Sequence, residues 1–196
     1  MECIEQLAGT EKFSKKSKKR LEEQQMCLKR KSWSFDEVQK EKDRLRIQMV
    51  GLGDVGQNVA IGLTLLGGDQ IESIGLYDLN RAQLSRMELE LGQFSTPPGG
   101  KRLPVIQIVS EAQLFDCDVF LFCATKAVPA IGSEASDVRM AQYEANRKIV
   151  SIYGKMASER AYQGLFLVIS DPVDLLCMEV LRSGITLHPE QIRGCG

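Results

Sequence analysis

No stretch of this 196-residue chain approaches the roughly 20 apolar residues that would span a bilayer. The opening Met1-Glu-Cys-Ile-Glu-Gln-Leu lacks the basic and apolar zones of a secretory leader. Net charge is −1, so no global field draws the chain to nucleic acid or to a membrane surface. Histidine occurs once, at His188, and the six cysteines (3, 27, 117, 123, 177 and 195) form no C-x-x-C pair. A zinc site or a disulfide framework is therefore disfavoured, and reduced cysteines in a cytoplasmic protein are the expectation. Hydrophobic residues at 43% and charged residues at 26% suit an ordinary globular core.

What is present is a strong local pattern. Arg46-Ile-Gln-Met-Val-Gly51-Leu-Gly53-Asp-Val-Gly56 reads as a strand, a glycine turn and the start of a helix. Asp78 follows 22 residues beyond Gly56, at the end of the next apolar run. Gly51 permits a sharp turn out of the strand. Gly53 lets the backbone approach a pyrophosphate. Gly56 lets the helix lie close on a sheet, with its partial positive charge toward the phosphates. A carboxylate at Asp78 can accept from both adenosine ribose hydroxyls and repels a 2′-phosphate, so the pattern points to NAD over NADP.

The chain divides in two by composition. Residues 1–44 carry a basic stretch, with nine Lys or Arg against two Glu between Lys12 and Lys31. Ser34-Phe-Asp-Glu37 has the spacing of a capping box and predicts a short helix to about Arg44. The arm either lies solvated or clasps a neighbouring subunit. Residues 45–196 alternate regularly. Strands are predicted at Ile47–Val50, Ser73–Tyr77, Val105–Val109, Val119–Cys123, Leu165–Ile169 and Gln191–Gly194. Helices are predicted from about Asp54 to Leu66, stopped by a left-handed Gly67-Gly68 cap, and from just after Asn80 to about Gly92 on Leu84, Met87 and Leu91. Another is capped by Asp137, with Ala141, Ala145, Ile149, Ile152 and Met156 as its stripe. The last starts with Pro172 at its first position and buries Val173, Leu176, Cys177, Val180 and Leu181. Apolar strands alternating with amphipathic helices imply a doubly wound, six-stranded parallel Rossmann sheet covered on both faces.

Four segments together resemble the lactate/malate dehydrogenases. They are the glycine turn with Asp78; Asp118-Val-Phe-Leu-Phe-Cys123-Ala124; Arg139 with Asn146, Ile149 and Val150; and Val168-Ile-Ser-Asp171-Pro172-Val173-Asp174. The likeness covers about residues 46–196 and excludes the arm. It implies that Gly51, Gly53 and Gly56, with the backbone of Asp54 and Val55, cradle the pyrophosphate of NAD, and that Asp78 binds the ribose. Ala124 and Thr125 would line the cofactor path, and Asn146 would either contact the cofactor or pack. Segment 124–139 would be the loop that closes over substrate, excluding water. Arg139 would polarise the substrate carbonyl, a task suited to a permanent charge; without the family it reads as a solvated arginine in a first helical turn. The family also forms dimers and tetramers, which leaves a homo-oligomer open by analogy.

Four departures shape the expectation. The family's acid/base histidine, its aspartate partner and the carboxylate-clamping arginine are expected beyond residue 196, and His188 reads as an ordinary loop residue. Asp171 stands where the family has asparagine. A carboxylate about 4 Å from an anionic substrate costs about 4 kcal/mol at an effective dielectric of 20, so Asp171 is protonated, paired or a helix N-cap. The loop is longer by several residues. No arginine precedes Arg139 in it, and Val128 is the nearest match to the specificity position, so a small monocarboxylate such as lactate or pyruvate fits better than malate or oxaloacetate. The leading expectation is the cofactor half of an NAD-dependent 2-hydroxyacid dehydrogenase, truncated before its substrate domain, which binds NAD without turnover. The second is a degenerate NAD-sensing or assembly module. An NAD-dependent glycosidase ranks last for want of a Cys/His pair.

Overall fold

The computed structural model describes residues 33–34, 44–96, 98–126 and 138–195. The basic run, the expected helix after Ser34, the Asp137 cap and Val128 lie outside the described residues.

β1 (Leu45–Val50) opens the domain. It is followed by α1 (Asp54–Leu66), β2 (Ile71–Tyr77), α2 (Arg81–Gly92), β3 (Val105–Ile108) and β4 (Val119–Phe122). Then come α3 (Val138–Glu159), β5 (Leu165–Val168), α4 (Val173–Ser183) and β6 (Ile192–Gly194). The strands form one parallel sheet in the order β3-β2-β1-β4-β5-β6. Val50 is level with Tyr77 on one side and Phe122 on the other, and Phe122 is level with Val168. The carboxyl ends of four strands therefore share one edge. Strand order reverses between β1 and β4, which opens a crevice there.

Successive side chains of a strand point to opposite faces, and two cores result. On the α1/α2 face, Ile47, Met49, Ile74, Leu76 and Leu121 meet Leu84, Met87 and Leu91. On the α3/α4 face, Phe120, Phe122 and Phe166 meet Val150, Tyr153, Leu176 and Val180. The rings of Phe120 and Phe166 lie 4.9 Å apart, in a tilted arrangement that suits aromatic quadrupoles. Cys117 and Cys123 are buried free thiols, each pushed up to about 12 chiefly by burial.

The regular elements follow the sequence reading with instructive exceptions. β3 is an edge strand, with Val105 and Ile108 exposed, so it is not covered on both faces. The buried stripe of α3 is Asn146, Val150, Tyr153 and Ala157. The expected stripe lies one position away: Ile149 and Met156 are only partly buried, and Ile152 is exposed. A polar residue, Asn146, belongs to the true stripe, and apolar content alone cannot register that. Leu181 on α4 is exposed as well. After α1, Gly67 stays right-handed and Gly68 takes the positive φ of 49°. Pro172 is the N-cap of α4, with extended ψ of 115°, and not its first helical residue. Ahead of β1, the Trp33 indole N–H donates to the Gln163 carbonyl at 2.8 Å.

Truncating Phe120, fully buried between its aromatic neighbours, to alanine is expected to cost about 3–5 kcal/mol of stability in urea unfolding. A loss under about 1 kcal/mol would show that the aromatic layer is not the core of this face.

Candidate functional site

Gly51 leaves β1 with φ of 89°, a region that L side chains rarely adopt. A Cβ there would stand 2.4 Å from the Ala124 Cα, so the β1 turn and the β4 turn meet backbone to backbone. A Cβ on Gly56 would stand 1.9 Å from the Gly51 carbonyl oxygen, which packs α1 directly on the turn. Gly53 differs: a Cβ there would meet nothing within 4 Å. Nothing within the protein would be displaced by a side chain at this point. Gly53 is also the N-cap of α1, and no side chain caps it. Free N–H groups and the helix dipole therefore favour an anion at this end.

Asp78 follows β2 and grips the turn. Its Oδ2 accepts from the Leu52 N–H at 2.6 Å and its Oδ1 from the Asn80 N–H at 2.7 Å. Each carboxylate oxygen has a second lone pair and can still accept from a ribose hydroxyl. The Gly51 N–H donates to the Tyr77 carbonyl at 3.1 Å, closing the same corner. A crevice of about 550 Å³ opens here, lined by Gly51, Gly53, Asp78, Ala124, Thr125 and Lys126 among others. Its other walls include Ile149 and also Gln57, Leu79, Asn80, Gln83 and Tyr153, which residue type alone did not single out. Gln57 directly follows the last motif glycine and Gln83 lies three residues after a helix cap, so position was the one signal available. Burial, then the nearby Tyr77, Glu111 and Asp78, push the Tyr153 hydroxyl well above its ordinary range, so it presents a neutral group.

Asp54, Val55 and Gly56 form the first turn of α1, directly after Gly53, and bring backbone N–H groups to this end. The remaining candidates lie elsewhere. Arg139 and Asp171 line a second cavity, of about 570 Å³, with Gln142, Asp174, Cys177 and Gly194. Arg139 is exposed and paired with Asp174 on α4. Slight desolvation pushes the Asp174 carboxyl upward, but the Leu175 N–H and the Arg139 guanidinium outweigh it and hold the group below its usual range. Asp171 is exposed and is not the N-cap of α4, because the chain turns at Pro172 instead. His188 caps the short turn Pro189–Gln191 through Nδ1, which accepts from the Glu190 N–H at 3.3 Å.

Asn146 joins the two cavities. Its Nδ2 donates to the Asp171 carbonyl at 3.0 Å. Its Oδ1 accepts from the Lys126 N–H at 2.9 Å and the Thr125 hydroxyl at 3.2 Å. The buried amide thus ties the turn after β4 to the turn after β5.

The fold and the crevice define a dinucleotide-binding α/β domain, with room and donors for a pyrophosphate and an acceptor for a ribose. The chain belongs to the lactate/malate dehydrogenase family, whose NAD-binding domain matches residues 45–194. NAD is the cofactor of that domain family. An L-lactate dehydrogenase from Oceanobacillus iheyensis is 26% identical over 152 residues, covering 77% of this chain and 44% of the relative. Lactate dehydrogenase from Eimeria maxima, solved with NADH and oxamate, shares the fold at a TM-score of 0.63 and 19% identity, covering 79% of this chain and 44% of that one. Malate dehydrogenase from Picrophilus torridus, in its apo form, does so at 0.61 and 21%, covering 78% and 46%. The chain spans less than half the length of these relatives. No helix among the described residues is long and apolar enough to cross a membrane.

Asn146→Ala removes three hydrogen bonds, two of them to half-buried backbone groups, so urea unfolding should show a loss of about 1–3 kcal/mol. An unchanged midpoint would mean the two turns hold their places without this amide.

Proposed function

We propose that the crevice at the β1/β4 switch point binds NAD, with the pyrophosphate at Gly51, Gly53 and the α1 N-terminus and the adenosine ribose on Asp78. The observation that carries this is Gly53: an uncapped helix end, open to the crevice, where glycine is needed for nothing within the protein. Asp54, Val55 and Gly56 contribute through their backbone at the same helix end. Ala124 and Thr125 line the path beyond it, and Asn146 holds that path in shape through Thr125 and Lys126.

On this reading the chain, as residues 45–196, is the cofactor half of an NAD-dependent 2-hydroxyacid dehydrogenase, preceded by a basic arm over 1–44. NAD supplies a hydride acceptor, or in its reduced form a donor, for a small 2-hydroxy or 2-oxo acid. This chain's residues bind and orient the cofactor and form one wall of a substrate space. Arg139 is the candidate to polarise a carbonyl, once it leaves Asp174. Asp171 is the doubtful second member of that wall, since its negative charge opposes an anionic substrate. The one histidine of the chain is engaged as a turn cap, so this reading assigns no acid/base group among the described residues. The chain by itself therefore binds NAD without turnover. A cytoplasmic setting and self-association belong to the same reading.

A second reading keeps NAD binding and drops catalysis altogether, making the chain a sensing or assembly module. The Arg139–Asp174 pair favours it, because the arginine is tied away from the crevice. Isothermal titration with NADH and NADPH tests the shared core of both. The full chain should bind NADH and reject NADPH. Asp78→Ala should weaken NADH by about 10-fold or more and narrow the NADPH gap, since hydrogen bonds to a charged group contribute about 1.5–3 kcal/mol. Unchanged affinity and selectivity would remove Asp78 from the ribose.

A further inference from the structure

Leu52 sits between two motif glycines, and its peptide groups are held from three directions. Its N–H is taken by Asp78, and its side chain is buried at 1% exposure. Its carbonyl oxygen accepts two side-chain amides, Gln57 Nε2 and Gln83 Nε2, each at 3.0 Å. Gln57 comes from α1 and Gln83 from α2. The Gln57 amide is held in turn, with Arg86 Nη2 donating to its Oε1 at 2.5 Å, and the Gln83 backbone is anchored at the start of α2, where its N–H donates to Asn80 Oδ1 at 3.3 Å. Arg86 is itself paired with Glu90 one turn on. Two helices thus converge on the Leu52 carbonyl, while the end of β2 takes the N–H of the same residue.

A carbonyl and the next residue's N–H share one planar trans peptide and point in opposite directions. Holding the Leu52 carbonyl therefore sets the direction of the Gly53 N–H. Gly53 has no side chain to resist rotation of that peptide, so glycine freedom makes outside restraint necessary. A cradle for phosphate works best when its donors are already oriented, because ordering them on binding costs affinity.

We infer that Gln57 and Gln83 are positioning residues for the dinucleotide: they lock the Leu52–Gly53 peptide so that the glycine turn meets the pyrophosphate pre-oriented. The inference rests on the NAD site proposed above. It assigns the two glutamines to the phosphate-binding half of that site and leaves the ribose to Asp78.

The test uses the full chain and the variants Gln57→Leu, Gln83→Leu and their double. Three ligands are titrated: NADH, ADP and adenosine, the last by ligand-observed NMR because it binds weakly. Each single variant should bind NADH and ADP about 5-fold more weakly, and the double about 30-fold, as expected for donors that each contribute roughly 1 kcal/mol. Adenosine affinity should stay at the wild-type value in all of them. Variants that bind NADH as well as wild type would overturn the lock and leave the cofactor site standing. An equal loss for adenosine would overturn it too, by showing general damage to the crevice. A wild-type chain that binds neither NADH nor ADP would overturn the cofactor site, and the lock with it.

Discussion

Gly51 passes the backbone of Ala124 so closely that no side chain fits between them. That contact brings the ends of β1 and β4 together at the one place where the sheet order reverses. The rest follows from it. Gly56 must be small because α1 then starts over the Gly51 carbonyl. Asp78, one residue past β2, falls within reach of the Leu52 N–H. The crevice has its shape because three strand ends are level and two of the turns above them touch.

A polar layer fixes what the apolar cores cannot. The two hydrophobic faces hold the sheet and helices but leave the turns free to rotate. Asp78, Gln57 and Gln83 hold the first turn through a single residue, Leu52. Asn146 holds the turns after β4 and β5 against each other. Buried or half-buried hydrogen bonds of this kind specify one geometry, and leaving a partner unsatisfied is costly. The turns beside the crevice and beside the cavity of Arg139 and Asp171 are therefore tied together, by the Asn146 amide and by the Ser170 hydroxyl, which donates to the Ala124 carbonyl at 3.0 Å.

Most of the fold was legible because its signals are local. The glycine turn, the run to Asp78, and the Leu84, Met87 and Leu91 face each depend on spacing within one element. The α3 stripe was misplaced by one position because its first member is Asn146, a polar residue buried for its hydrogen bonds. β3 read as a covered strand because its sequence is apolar, but its place at the sheet edge is a property of the whole topology. Asp171 looked like a cap because an acid before a helix often is one, and the extended Pro172 takes that position instead. Gln57 and Gln83 carried no signal beyond their positions after the last motif glycine and the Asn80 cap. Their role exists only once α1 and α2 are both packed on the sheet.

A crystal structure of the chain with bound NAD tests the central claim most directly. The account predicts the two phosphates over Gly53 at the amino end of α1, with a ribose hydroxyl hydrogen-bonded to the Asp78 carboxylate. A dinucleotide seated elsewhere, or a crevice filled by the protein's own side chains at saturating NAD, would contradict it.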